Sequence, residues 1–85
     1  MTIVYAPKAW KQIQKLPSHI QKKAFRQFET LLNNPNHPSL HVKKKEGSRE
    51  FEGRIDIHYR FSFVIESKTV LVLTIGMHDF GLGKK

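Results

Sequence analysis

The segment His58-Tyr59-Arg60-Phe61-Ser62-Phe63-Val64-Ile65 (H-Y-R-F-S-F-V-I) decides the fold, because its bulky apolar side chains recur at every second position. A period of two is that of a strand with one face on a core. Tyr59, Phe61, Phe63 and Ile65 form the core-facing set, and His58, Arg60 and Ser62 point the other way. Downstream, Glu66-Ser67-Lys68 leads into a second apolar run, Thr69–Met77. Upstream, Asp56-Ile57 leads back to Arg49–Ile55, and Glu46-Gly47 leads back to Leu40–Lys45. Connections this short join antiparallel neighbours, so four strands are expected in the C-terminal half.

The N-terminal half has a different period. Thr2–Tyr5 is β-branched and aromatic and reads as a short strand, ended by Pro7, which suits the first position of a helix. Ala9, Trp10, Ile13 and Leu16 then recur at helical spacing up to Pro17, with Trp10 expected in the core. Ser18 and Gln21 form a capping-box pattern that opens a second helix. Its apolar stripe is Ile20, Ala24, Phe28, Leu31 and Leu32, with Lys22, Lys23, Arg26 and Glu29 on the wet side. Asn34 precedes Pro35 and ends it, and Asn33–Ser39 has the chemistry of an exposed loop. The expected order is β-α-α-β-β-β-β. This is an α+β fold in which a two-helix hairpin packs on one face of a mainly antiparallel five-stranded sheet. The sheet's other face stays open, and function belongs there.

With 85 residues the chain is expected to form one domain, 1–85, with Gly81-Leu82-Gly83-Lys84-Lys85 as a flexible basic tail. It contains no cysteine, no signal-peptide core and no apolar run long enough to cross a bilayer, so a cytoplasmic location and no membrane partner are expected. Fifteen Lys and Arg stand against seven Asp and Glu, a formal net charge of +8. A polyanion, nucleic acid or an acidic protein, is the natural partner.

Arg60 sits mid-strand and points away from the core. In Thr69–Met77 the bulkier set, Leu71, Leu73, Ile75 and Met77, is assigned to the core. That leaves Val70, Val72, Thr74, Gly76 and His78 on the open face with Arg60. The turn then places Arg60 near Thr74, His58 near Gly76 and His78 near Asp56. Arg60 and His78 are thus ~13 Å apart along the sheet at ~3.3 Å per residue. Such a gap suits one phosphodiester. Cutting RNA without a metal needs a base for the ribose 2′-OH, an acid for the leaving 5′-oxygen, and fixed positive charge for the phosphorane. Histidine supplies a proton carrier and arginine a fork that fits phosphate oxygens. Arg54 on the neighbouring strand is a second phosphate candidate. Lys43, Lys44 and Lys45 form a basic run on an edge strand, where only alternate lysines can face a substrate and where lysine also blocks aggregation.

Other chemistry finds no support. No Gly-rich loop precedes a helix, His78-Asp79 lacks the further ligands of a metal phosphohydrolase, and His37 and His41 lack a third ligand. No metal or small-molecule cofactor is expected.

N-N-P at 33–35, K-K-K-E-G-S-R-E-F-E-G-R at 43–54, H-Y-R-F-S-F-V-I at 58–65 and V-L-V-L-T-I-G-M-H-D-F at 70–80 together resemble the RelE/ParE superfamily of type II toxins. The likeness is greatest to the RelE and YafQ-like mRNA interferases. The resemblance implies a RelE-like fold and a metal-independent endoribonuclease that cuts mRNA, usually at the ribosome, and so inhibits translation. It also implies a cognate antitoxin as partner. By position it makes Arg60 the contact to the scissile phosphate, His78 the acid or base, Arg54 a phosphate-stabilising residue, and Lys43 to Lys45 an RNA-facing region. Two positions depart from the pattern. Glu52 stands where relatives often have Lys, and Phe80, which can stack on a base, stands where several have Tyr. The proton chemistry then rests on His78, with His58 as a second histidine. The alternatives are a ParE-like toxin that poisons gyrase without cutting RNA, and a catalytically silent module that binds RNA or antitoxin.

Overall fold

The computed structural model describes residues 1–77. The elements are β1 (Thr2–Tyr5), α1 (Pro7–Gln14), α2 (Ser18–Asn33), a 3₁₀ turn (Pro38–Leu40), β2 (Lys43–Lys44), β3 (Phe51–Arg54), β4 (Tyr59–Glu66) and β5 (Thr69–Met77). The sheet order is β1-β5-β4-β3-β2. β1 runs parallel to β5, and every other pairing is antiparallel. The expected α+β architecture is therefore present. Among the described residues no helix is long and apolar enough to cross a membrane.

Both helices lie on one face. Ala9 and Ile13 of α1, with Ile20, Ala24, Phe28 and Leu31 of α2, join Phe61, Phe63, Val70, Val72 and Ile75 of the sheet in one buried cluster. The rings of Phe28 and Phe61 meet edge to face at 4.9 Å between centroids. On β3, Gly53 is paired with Phe61, and a Cβ at Gly53 would fall 2.5 Å from the Phe61 ring. The ring thus occupies the volume that any side chain at position 53 would need.

One expectation about β5 is corrected. The bulkier set does not face the helices as a whole: of its members only Ile75 is buried, Leu71 and Leu73 are partly so and Met77 is 52% exposed, while Val70 and Val72 of the smaller set are buried. The reason is a bulge. Phe63 pairs with Val72 but Ser62 pairs with Thr74, so Leu73 has no partner of its own and the parity of β5 switches there. Side-chain size could not reveal this, because a bulge changes which residues share a face.

Four smaller corrections follow from the local structure. Trp10 is 45% exposed, because Ala9 and Ile13 point at the sheet and the next position along is turned ~100° away. The capping box does not form: Ser18 makes no side-chain cap, and Gln21 Nε2 instead donates to Ile13 O at 2.9 Å, tying the two helices together. The strand expected over Leu40–Lys45 shrinks to two residues, because Leu40 closes the 3₁₀ turn in the core and His41 takes a left-handed conformation at φ 47°. His58 lies in the β3–β4 turn rather than in β4.

β1 ends at Tyr5 opposite Val72. Beyond it the Ile75 N–H donates to Gln12 Oε1 at 2.7 Å, so α1 takes over where the parallel strand stops.

The packing over Gly53 gives a direct test. Gly53→Ala forces the Phe61 ring to move and is expected to cost ~1–3 kcal/mol, the usual range for overpacking. Urea denaturation measures it, and an unchanged midpoint would refute the close approach.

Candidate functional site

Cross-strand neighbours share a face, so the register defines the surface opposite the helices. One row runs Lys43, Glu52, Ser62, Thr74 across four strands; the adjacent row runs Arg54, Arg60, Gly76. No described element covers this face. Ser62 and Thr74 share a hydrogen bond between their hydroxyl oxygens at 2.6 Å, and Ser62 is 4% exposed. They form a polar floor beside the arginines.

Arg54 and Arg60 stand directly opposite each other on β3 and β4. Like charges in that relation repel unless something negative lies between or beside them. Glu52 meets part of the need, with Oε2 3.6 Å from Arg60 Nε. Arg60 is also tied to the turn below it. Its Nη1 donates to the carbonyls of Asp56 at 2.8 Å and Tyr59 at 3.2 Å. Asp56 Oδ1 in turn accepts from the backbone N–H groups of His58 and Tyr59 at 2.8 and 3.0 Å. Burial, and then the Arg54 charge, push the Arg60 pKa below the usual arginine value, with Glu52 and Asp56 opposing the shift. Arg54 is less satisfied: its Nε is buried and has no hydrogen-bond partner among the described residues. Buried donors are rarely left unpaired, so this one adds a cost to holding Arg54 opposite Arg60.

The candidates picked from sequence fare unequally. Arg54 and Arg60 are brought together. Arg60 faces Gly76 rather than Thr74, one residue of the shift coming from the turn, where Glu66 pairs with Thr69, and one from the β5 bulge, so the gap left by glycine lies beside Arg60 and not beside His58. His58 is exposed in the turn, with its backbone rather than its ring held by Asp56. Of the lysine run, Lys43 shares the arginine face through Glu52, whereas Lys44 pairs with Phe51, whose parity is that of the core. Lys45 Nζ is engaged with Glu50 at 3.3 Å. His78 and Phe80 lie outside the described residues, as does the tail 81–85. Sequence reasoning passed over Ser62 and Thr74 as site residues, although the alternation around Ser62 already placed it on the open face. It also treated Glu52 only as a departure, without its contact to Arg60.

A family model for the ParE toxin of type II toxin–antitoxin systems, parDE, matches residues 3–79. The chain belongs to this family. It is thus a type II toxin of the RelE/ParE superfamily, and solved structures agree on the fold. A chain of the RelB–RelE antitoxin–toxin complex from Methanococcus jannaschii superimposes with a TM-score of 0.77 at 19% identity, covering 96% of this chain and 98% of that one. A YoeB/ParE toxin from Agrobacterium tumefaciens gives 0.76 at 15% identity, covering 92% and 99%. YafQ from E. coli strain BL21(DE3) gives 0.75 at 14% identity, covering 93% and 97%. A search of curated proteins gave no match.

Two facing arginines, only partly offset by Glu52, form a patch of positive charge suited to an oxyanion. Inorganic phosphate is expected to raise the melting temperature of the toxin, because a ligand that binds only the folded state at tenfold its Kd stabilises by ~1.4 kcal/mol. Arg54→Ala is expected to abolish that shift in a thermal melt. A shift of the same size in the variant would show that phosphate binds elsewhere.

Proposed function

We propose that this toxin is a metal-independent endoribonuclease that cuts mRNA held at the ribosome and so arrests translation. The observation that carries the reading is the facing pair Arg54 and Arg60, set beside Gly76 on the sheet face opposite the helices. A phosphodiester placed there would accept from the outer guanidinium nitrogens of Arg54, whose Nε is shielded, and from the outer edge of Arg60, whose Nη1 is already held by the turn. Fixed, buried positive charge is what a phosphorane needs and what a substrate in water lacks. Arg60 and Arg54 thus act on the phosphate. His78 carries one of the two proton transfers, taking the proton of the attacking 2′-OH or giving one to the departing 5′-oxygen, and water carries the other. The 2′-oxygen bonds to phosphorus, the 5′-oxygen leaves as a hydroxyl, and a 2′,3′-cyclic phosphate remains. Lys43 and His58 contact the flanking RNA, and Phe80 stacks on a base. Lys44 and Lys45 contribute only general positive charge, since one pairs on the core-side parity and the other is engaged with Glu50.

The second partner in this reading is a cognate antitoxin. The formal charge of +8 suits an acidic one. Similar chains have been solved as complexes, RelE with RelB from Methanococcus jannaschii and YoeB with YefM from Staphylococcus aureus. Both activity and antitoxin pairing belong to the cytoplasm.

One observation favours a second reading. The matching family model carries the name ParE, which is that of the gyrase-poisoning branch. The two readings part in one experiment. Primer extension on translated mRNA is expected to show cuts with wild type, reduced ~10²-fold or more in His78→Ala and Arg60→Ala, the range for losing an acid–base group or an oxyanion donor. Intact mRNA together with gyrase-dependent DNA cleavage would overturn the ribonuclease reading.

A further inference from the structure

Arg54 takes part in a second feature. It lines a cleft of about 450 Å³ between α2 and the β3–β4 turn, together with Lys23 and Arg26 of α2, His41, and Asp56 of the turn. The volume is in the range of pockets that hold small ligands. Lys23 and Arg26 are cationic, Asp56 is the one carboxylate, and Arg54 borders the cleft, its carbonyl held by Gln27. The carboxylate is committed, since Asp56 Oδ1 accepts two backbone N–H bonds of the turn, and its Oδ2 lies 3.8 Å from Lys23 Nζ. That ion pair has a half-exposed lysine and is weak enough for a stronger anion to take over. The cleft is held open by Gln27, whose Nε2 donates to Arg54 O at 2.9 Å and to Ser39 O at 3.2 Å, bridging α2 to both the sheet and the loop before β2. At its rim Ile57 is 70% exposed, an apolar surface against which a sugar or base could rest.

We propose that this cleft binds a second phosphodiester of the RNA strand, the neighbour of the one held by Arg54 and Arg60. The inference rests on the ribonuclease reading and extends it to how the strand leaves the reacting centre. Arg54 is common to the cleft and to the sheet face, so a backbone leaving the arginine pair around the sheet edge meets Arg26 and Lys23 next. Charge favours an anionic strand as the occupant, because Lys23 and Arg26, with Arg54 at the border, outnumber the one carboxylate, Asp56, while Ile57 offers a sugar or base an apolar rest. Arg26 is exposed and its side chain forms no ion pair among the described residues, which leaves its fork available to phosphate oxygens.

The test compares two uncleavable probes with 2′-O-methyl sugars, a dinucleotide with one phosphodiester and a longer single strand. Arg26→Ala is expected to weaken the longer strand several-fold. It should lower the slope of log K against log salt by ~0.7, the loss of about one phosphate contact on a single strand. Dinucleotide affinity should stay at the wild-type value, and Arg26→Lys should restore most of the slope. A wild-type slope in Arg26→Ala overturns the cleft assignment and leaves the ribonuclease reading standing. Weakened binding of an acidic peptide with unchanged binding of the strand also overturns it, in favour of a protein partner. If wild type binds the longer strand no more tightly than the dinucleotide, the cleft assignment falls, while the ribonuclease reading is decided by cleavage of translated mRNA.

Discussion

One unpaired residue in β5 sets the geometry of the whole sheet. Leu73 interrupts the pairing between β4 and β5, so Val70 and Val72 before it and Ile75 after it all turn toward the helices. Without the bulge, one end of β5 would bury its side chains and the other would expose them. The same interruption slides Gly76 opposite Arg60. It therefore fixes both the core and the empty space beside the arginine, and Gln12 secures the strand just past it through the Ile75 N–H.

On the other face the organising problem is charge. Arg54 and Arg60 oppose each other across β3 and β4, and their repulsion is only partly relieved by Glu52. Arg60 is anchored by the carbonyls of Asp56 and Tyr59, while Asp56 closes the same turn through its carboxylate. The turn is thus braced by the arginine that faces the site, so loss of Arg60 disturbs the turn as well as the charge. Arg54 carries no such duty through its Nε, and the cost of leaving that donor buried and unpaired is ~1–3 kcal/mol.

Much of this was legible in the residues. The alternation of Tyr59, Phe61, Phe63 and Ile65 placed β4 correctly and put Arg60 on the uncovered face, because period two is a local property. The helical stripes were equally local, and Ile20, Ala24, Phe28 and Leu31 are buried as expected. What could not be read depended on contacts distant in sequence. The Leu73 bulge arises from how β5 fits between β1 and β4, and Trp10 is displaced from the core by the angle at which α1 meets the sheet. Gln21 abandons its capping role for the end of α1, and Leu40 leaves its strand for the core. The Arg54–Arg60 pairing was half visible: both residues were chosen, but their direct opposition follows from register. The cleft joining Arg54 to Arg26 and His41 has no sequence signature, since its walls come from three separated segments.

The central claim is that Arg54 and Arg60 grip one phosphate between them. The most direct measurement follows the arginine guanidinium N–H resonances by NMR while an uncleavable dinucleotide is added. A downfield shift and protection from exchange are expected at the Arg54 Nη–H groups, with a smaller change at Arg60, whose Nη1 is already bonded to the turn. Saturable binding of the dinucleotide that leaves the Arg54 Nη–H groups unmoved would contradict the shared grip on phosphate.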